Sequence, residues 1–161
     1  APGFRRAVEE AFGSPVAGMH VLIAGAGGGA GQAVAMACLL AGVSRLTLAN
    51  RTRDKLDDLM VRLRRVDACQ ATIEAFALAD PTLATAAKGC DLIVNTSSLG
   101  LKEGDPSILP KVFFSSRTRV FDTIYNPAVT PLMRLATGWR RSKARTPTSP
   151  ATIVAAKRTV R

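Results

Sequence analysis

Two short stretches of this chain have residue types and spacing that could do chemistry. The first is GAGGGAG at 25–31, and the second is LANRTRDK at 48–55. In the first, Gly25 permits a tight turn and Gly27 lets backbone come close to a pyrophosphate. Gly28 and Gly29 follow, and Ala30 is small enough for helix and strand to pack together in a GxGxxA pattern. Amides at a helix start here, from Ala26 onward, would face the pyrophosphate of a dinucleotide, helped by the helix dipole. A cofactor with a free ribose 2′-hydroxyl usually meets an acid about twenty residues further on. This chain offers Asn50, Arg51, Thr52, Arg53 and Lys55 instead. An aspartate there would repel a 2′-phosphate. Arg51 can pair with one and stack on the adenine, Asn50 and Thr52 supply neutral donors, and Lys55 adds a mobile charge. The cofactor expected from these residues is NADP; the bland alternative is a flexible glycine turn beside a solvated basic one.

The surrounding elements must hold these stretches in place. VLIA (21–24) is a continuous apolar run, suited to a strand buried on both faces, and AVAMACLLAG (33–42) reads as an apolar helix closed by Gly42. RLTLA (45–49) reads as a strand and DKLDDLMVRLRR (54–65) as a helix. Residues 70–76 alternate like a strand, 80–88 read as a short helix, and 91–95 and 119–125 as further strands. A helix begins at about 130, and residues 3–12 form an amphipathic lead-in helix. Alternating strands and helices predict an α/β domain over residues 1–138, with a parallel sheet covered by helices on both faces.

Composition narrows the class. A chain of 161 residues with 47% hydrophobic content is the size of one domain, and no apolar run is long enough to span a membrane. Cys38, Cys69 and Cys90 form no CxxC and read as core thiols of a cytoplasmic protein, with no metal site expected. The lone His20 precedes a strand and reads as structural. The net charge of +10 raises nucleic acid as a partner, but seven basic residues from Arg140 onward, with no acid among them, leave +3 for the rest. The charge belongs to a tail at 139–161, read as basic and disordered, so nucleic acid is not the expected partner.

Four stretches together carry a family resemblance: GAGGGAGQA (25–33), LANRTRDK (48–55), DLIVNTSSLGL (91–101) and VFDTIYNPAVTPL (120–132). The chain resembles the NADP-binding domain of the shikimate/quinate 5-dehydrogenases over about residues 1 to 137. The resemblance implies a Rossmann-type doubly wound parallel sheet in three layers. It assigns Gly25 to Gly29 to the pyrophosphate and Asn50 to Lys55 to the 2′-phosphate. It places Asn95, Thr96, Ser97 and Leu99 around the nicotinamide ribose, and the backbone of Thr123 at the nicotinamide. Tyr125 falls where the family offers a phenol to the substrate, although a Tyr before a Pro break could equally pack with a wet hydroxyl.

The implied reaction is reversible hydride transfer between NADPH and the keto group of 3-dehydroshikimate, giving shikimate. In the family the proton donor is a Lys partnered by an Asp, both in a preceding substrate domain. Neither matches a residue here, so no catalytic residue is expected in the chain, which reads as the cofactor part and inactive alone. The tail lacks the family's closing helix with its Gln; a shifted reading frame or a functional basic arm would each account for it. Other readings are a non-catalytic NADP(H)-binding module and the related domain of a glutamyl-tRNA reductase, against which the DTIYNPAVTPL stretch argues.

Overall fold

A computed structural model describes residues 2–66, 70–143 and 153–155. The apolar runs become strands β1 (His20–Ala24), β2 (Arg45–Asn50), β3 (Thr72–Ala77), β4 (Leu92–Asn95) and β5 (Arg119–Asp122), joined by a sixth, β6 (Ile153–Ala155). All pair in parallel in the order β3-β2-β1-β4-β5-β6. Every residue of β1 and β4 is buried, as befits central strands covered on both faces.

Alternation along the strands divides the core in two. Val21 and Ile23 join Leu46 and Leu48 under α1 (Pro2–Phe12), α2 (Gly29–Leu40) and α3 (Asp54–Arg64), packed with Val8, Val34, Cys38, Leu56, Leu59 and Leu63. Leu22, Ile93 and Val120 point the other way. They meet Leu83 of α4 (Leu83–Ala86), Leu109, Phe114 beside a 3-10 turn at Lys111–Phe113, and Leu132 and Ala136 of α5 (Pro131–Lys143). Helices therefore cover both faces, which makes the three-layer doubly wound α/β fold expected from the sequence. Each fully buried Leu or Ile contributes roughly 1.5–3 kcal/mol, so this division is what the fold rests on.

The lead-in helix belongs to the body. Phe4 meets Phe121 of β5 edge-on with ring centroids 5.5 Å apart, and the Arg119 guanidinium lies over the Phe12 ring at 5.6 Å. His20 is structural, its Nε2 2.9 Å from the buried Thr47 hydroxyl. Cys38 and Cys90 are free and buried, and burial pushes each thiol up to about 12. The expectation for Cys69 lies outside the described residues. No helix among the described residues is long and apolar enough to cross a membrane.

Several boundaries differ from the sequence reading. The expected helix at 80–88 is a single turn, Leu83–Ala86, followed by Gly89 at φ +76. The helix expected from residue 33 starts at Gly29, and the absence of a side chain at Gly31 lets its first turn lie close against the end of β1. The division at 138 falls inside α5, which runs to Lys143. Of the tail read as disordered, residues 144–152 and 156–161 lie outside the described residues, while 139–143 continue α5 and 153–155 form β6. Ile153, Val154 and Ala155, three residues of apolar and mainly β-branched type, pair with Val120, Phe121 and Asp122 and cover what would be an open sheet edge.

Candidate functional site

Strand order reverses between β1 and β4, and a doubly wound sheet opens a ligand crevice beyond the carboxyl ends of its strands at that point. The loop 25–28 leaves β1 there. The amides of Gly25 and Ala26 both donate to Ala49 O, at 2.8 and 3.1 Å, which ties the loop to β2. Gly25 sits at φ +84, and a Cβ on it would fall 2.7 Å from Ser97 N. A Cβ on Gly27 would fall 2.7 Å from Asn50 Nδ2 and 2.9 Å from Lys55 Cβ. The loop, the β2 end and the β4 end thus converge with no room for side chains between them.

Beyond that contact the loop opens. Gly28, Gly29 and Ala30 are exposed, and Gly29 has nothing within 4 Å of where a Cβ would stand. The amides of Gly29, Ala30 and Gly31 lie in the first turn of α2, which has no intrahelical acceptors, and the helix dipole favours an anion there. Gln32 steadies the loop by donating to Gly27 O (3.1 Å) while its own carbonyl accepts from Arg62 of α3 (2.7 Å).

Arg51, Thr52 and Lys55 are exposed beside this opening. The Asn50 carboxamide is turned inward, donating to Thr52 O at 2.9 Å, and shapes the turn. Arg53 is ion-paired with Asp57. Among the described residues no acid pairs with Arg51 or Lys55. An anion is what these groups can hold.

The β4–β5 side is built differently. Asn95, with no exposed surface, donates to Asp122 Oδ1 at 3.1 Å and accepts from the Ser97 amide (3.0 Å) and hydroxyl (2.8 Å). Ser97 Oγ in turn accepts from Leu99 N, and Thr96 Oγ1 donates to Ala24 O at 3.0 Å. Asp122, also without exposure, accepts from Ile124 N (3.0 Å) and from Thr130 Oγ1 (2.7 Å). The Thr123 amide donates to Asn95 O at 3.0 Å, which leaves its carbonyl as its available backbone group. Tyr125 is 57% exposed. The Asp105 carboxyl accepts from the amides of Lys102 and Gly100, which hold it below the usual carboxylate range and close the 95–100 turn.

No family model matches the chain. A shikimate dehydrogenase (NADP(+)) of Rubrobacter xylanophilus is 41% identical over 135 residues, which are 83% of this chain and 45% of that protein, in its C-terminal portion. The chain belongs to the shikimate dehydrogenase family. It spans about half the length, or less, of the curated relatives it matches. The Thermus thermophilus shikimate 5-dehydrogenase, solved in complex with NADP(H) and shikimate, is 30% identical with a TM-score of 0.67, covering 86% of this chain and 46% of that one. The Listeria monocytogenes shikimate 5-dehydrogenase superposes with a TM-score of 0.78 at 23% identity, over 96% of this chain and 50% of that one, and supports the fold alone.

Within this shikimate dehydrogenase domain the sequence-derived residues all lie on or next to the carboxyl ends of β1, β2, β4 and β5, in unequal surroundings. Gly25 and Ala26 are buried with their amides committed to Ala49 O, so Gly27 to Ala30 are the open part of the loop. The small residue at the helix–strand contact is Gly31 and not Ala30, because α2 begins at Gly29: a Cβ on Gly31 would lie 2.6 Å from Ala26 Cα. The glycines in close contact therefore read GxGxxxG, one residue longer than the local GxGxxA pattern. Asn95 organises its turn from inside and presents no exposed surface. Asp122, Thr130, Gln32 and Arg62 escaped the sequence reading. The one local signal was a Thr just before Pro131, a helix-start signature.

Proposed function

We propose that the chain is the NADP(H)-binding part of a shikimate dehydrogenase, whose whole reaction is the reversible NADPH-linked reduction of 3-dehydroshikimate to shikimate. The observation that carries this is a pair of exposed cations, Arg51 and Lys55, placed beside Gly27 and the open start of α2 with no acid paired to them among the described residues. Neutral turns and an open, Cβ-free cradle suit a phosphorylated dinucleotide. The amides of Gly27, Gly29 and Ala30 would hold the pyrophosphate, since that of Gly28 already donates to Gly25 O at 3.2 Å, and Arg51, Lys55 and Thr52 the 2′-phosphate. Arg53 contributes less, since Asp57 already takes its charge. Ser97 and Leu99 would line the nicotinamide ribose, with the Thr123 carbonyl at the nicotinamide and the Tyr125 phenol toward the substrate. When bound, the cofactor supplies the hydride; the residues named here bind and orient it.

The Thermus relative's complex with NADP(H) and shikimate supports a small-molecule substrate. Because the relatives reported are shikimate dehydrogenases, the glutamyl-tRNA reductase alternative is not favoured. The same reading places the chain in the cytoplasm, which two free buried thiols suit. The test is titration of the chain with NADPH and NADH, followed by intrinsic cofactor fluorescence. NADPH should bind at least about tenfold more tightly, as charge-assisted hydrogen bonds to one phosphate imply. Replacing Arg51 and Lys55 together with Ala should abolish that bias. Equal affinities of the unaltered chain for the two cofactors would overturn the proposal.

A further inference from the structure

The β4–β5 side of the crevice contains a carboxyl group with no obvious local purpose. Asp122 ends β5 with no exposed surface, and no Lys or Arg pairs with it among the described residues. Phe121 before it and Ile124 two residues on are buried and apolar. Burying such a group is costly unless every partner is in place. Here each oxygen has a partner. Oδ1 accepts from Asn95 Nδ2 and from the Ile124 amide; Oδ2 accepts from the Thr130 hydroxyl. Thr130 also accepts from Met133 N (3.3 Å), capping α5 just before Pro131 at its first position.

Three segments are thereby held at fixed distances from one carboxyl group. They are the turn at 95–100, the loop at 123–130 and the start of α5. The turn and the loop carry Ser97, Leu99, Thr123 and Tyr125, so the carboxyl sets where the Thr123 carbonyl stands relative to the turn. None of the hydrogen bonds of Asp122 or Thr130 reaches the glycine loop or the residues after β2.

We propose that Asp122, acting with Thr130, is a positioning residue for the nicotinamide end of the crevice alone, while the adenosine end is set independently by backbone and surface cations. This inference rests on the NADP(H) reading above. Its test is calorimetric titration of the 161-residue chain with two probes: NADPH, and adenosine 2′,5′-bisphosphate, which keeps the adenosine phosphates and lacks the nicotinamide. Asp122→Asn and Thr130→Val should each weaken NADPH by about tenfold, the loss expected when a hydrogen bond to a charged group is removed. Adenosine 2′,5′-bisphosphate should keep its affinity in both, and Thr130→Ser should restore NADPH binding. Thermal melting identifies a variant that fails to fold, in which case the Thr130 pair decides the matter.

Equal weakening of both probes, or no weakening of either, overturns the inference. An unaltered chain that binds neither probe overturns the cofactor reading and this inference with it. An unaltered chain that binds both while the variants show no split overturns the positioning role alone.

Discussion

The two ends of the crevice solve different physical problems. At the β1–β2 end, where we propose that recognition is of charge, the structure supplies glycine backbone, a helix start and cations standing in solvent. At the β4–β5 end, side chains with no exposed surface bond to one another, and Asn95 and Asp122 meet across 27 residues of sequence. Attraction to a phosphate tolerates mobile side chains, because a point charge acts from many positions. Alignment of a ring and a carbonyl does not, so it is handed to groups that cannot move. One end is soft and electrostatic, and the other is rigid and hydrogen-bonded.

Stability separates the ends most sharply. Asp122→Ala leaves Asn95 Nδ2, the Ile124 amide and the Thr130 hydroxyl without their partner, and should cost about 3 kcal/mol or more. Arg51→Ala, at an exposed position, should change stability by less than about 0.5 kcal/mol. Urea unfolding of the two variants checks this, and similar losses in both would erase the distinction.

The next effect lies within the glycine loop itself. Gly31→Ala forces a Cβ to within 2.6 Å of Ala26 Cα and 2.7 Å of Gly25 O, both backbone atoms that cannot swing away. A loss of about 2 kcal/mol is expected from such overpacking. Gly29→Ala meets open space and should hold or slightly raise stability, since alanine favours the helix. If both substitutions are neutral, the loop is less constrained than its contacts imply.

The smallest effect lies at the opposite, amino-terminal end of the strands, where β1 begins. Burial, then the nearby Arg45, lower the pKa of His20 from 6.5, against weaker pulls from Asp91 and Glu74. The folded state therefore resists a proton that the unfolded chain accepts. The associated stability is complete above pH 6.5 and falls away as the pH drops through the lowered folded value. His20→Gln should flatten the pH dependence of urea unfolding between neutral pH and pH 5. An unchanged slope would show that His20 protonates as easily folded as unfolded.

How much of this was legible in the sequence follows the same division. The soft end is local: VLIA, the glycine loop and LANRTRDK lie within 35 residues, so the type of each residue suffices to propose a role for it. The loop register and the Gln32–Arg62 brace escaped. With α2 starting at Gly29, the tight contact moves from Ala30 to Gly31. The rigid end was legible only through family resemblance, and then only for its surface. Asp122 and Thr130 look unremarkable in VFDTIYNPAVTPL, because their meaning lies in partners brought in by a crossover. Gln32 and Arg62 are 30 residues apart and meet for the same reason. The sixth strand was hidden by a basic composition that says nothing of how three apolar residues within it can pair.

Strand β5 also bears on the order in which the molecule can assemble. Phe121 rests against Phe4 of α1 and pairs with Val154 of β6, so distant parts of the chain must come together on this one strand. β1, β2 and β3 follow one another in sequence, each joined to the next through a single helix. Closing long loops is slower than closing short ones. The end proposed to bind phosphate can thus reach its native shape while the strand bearing Asp122 is still waiting for its neighbours.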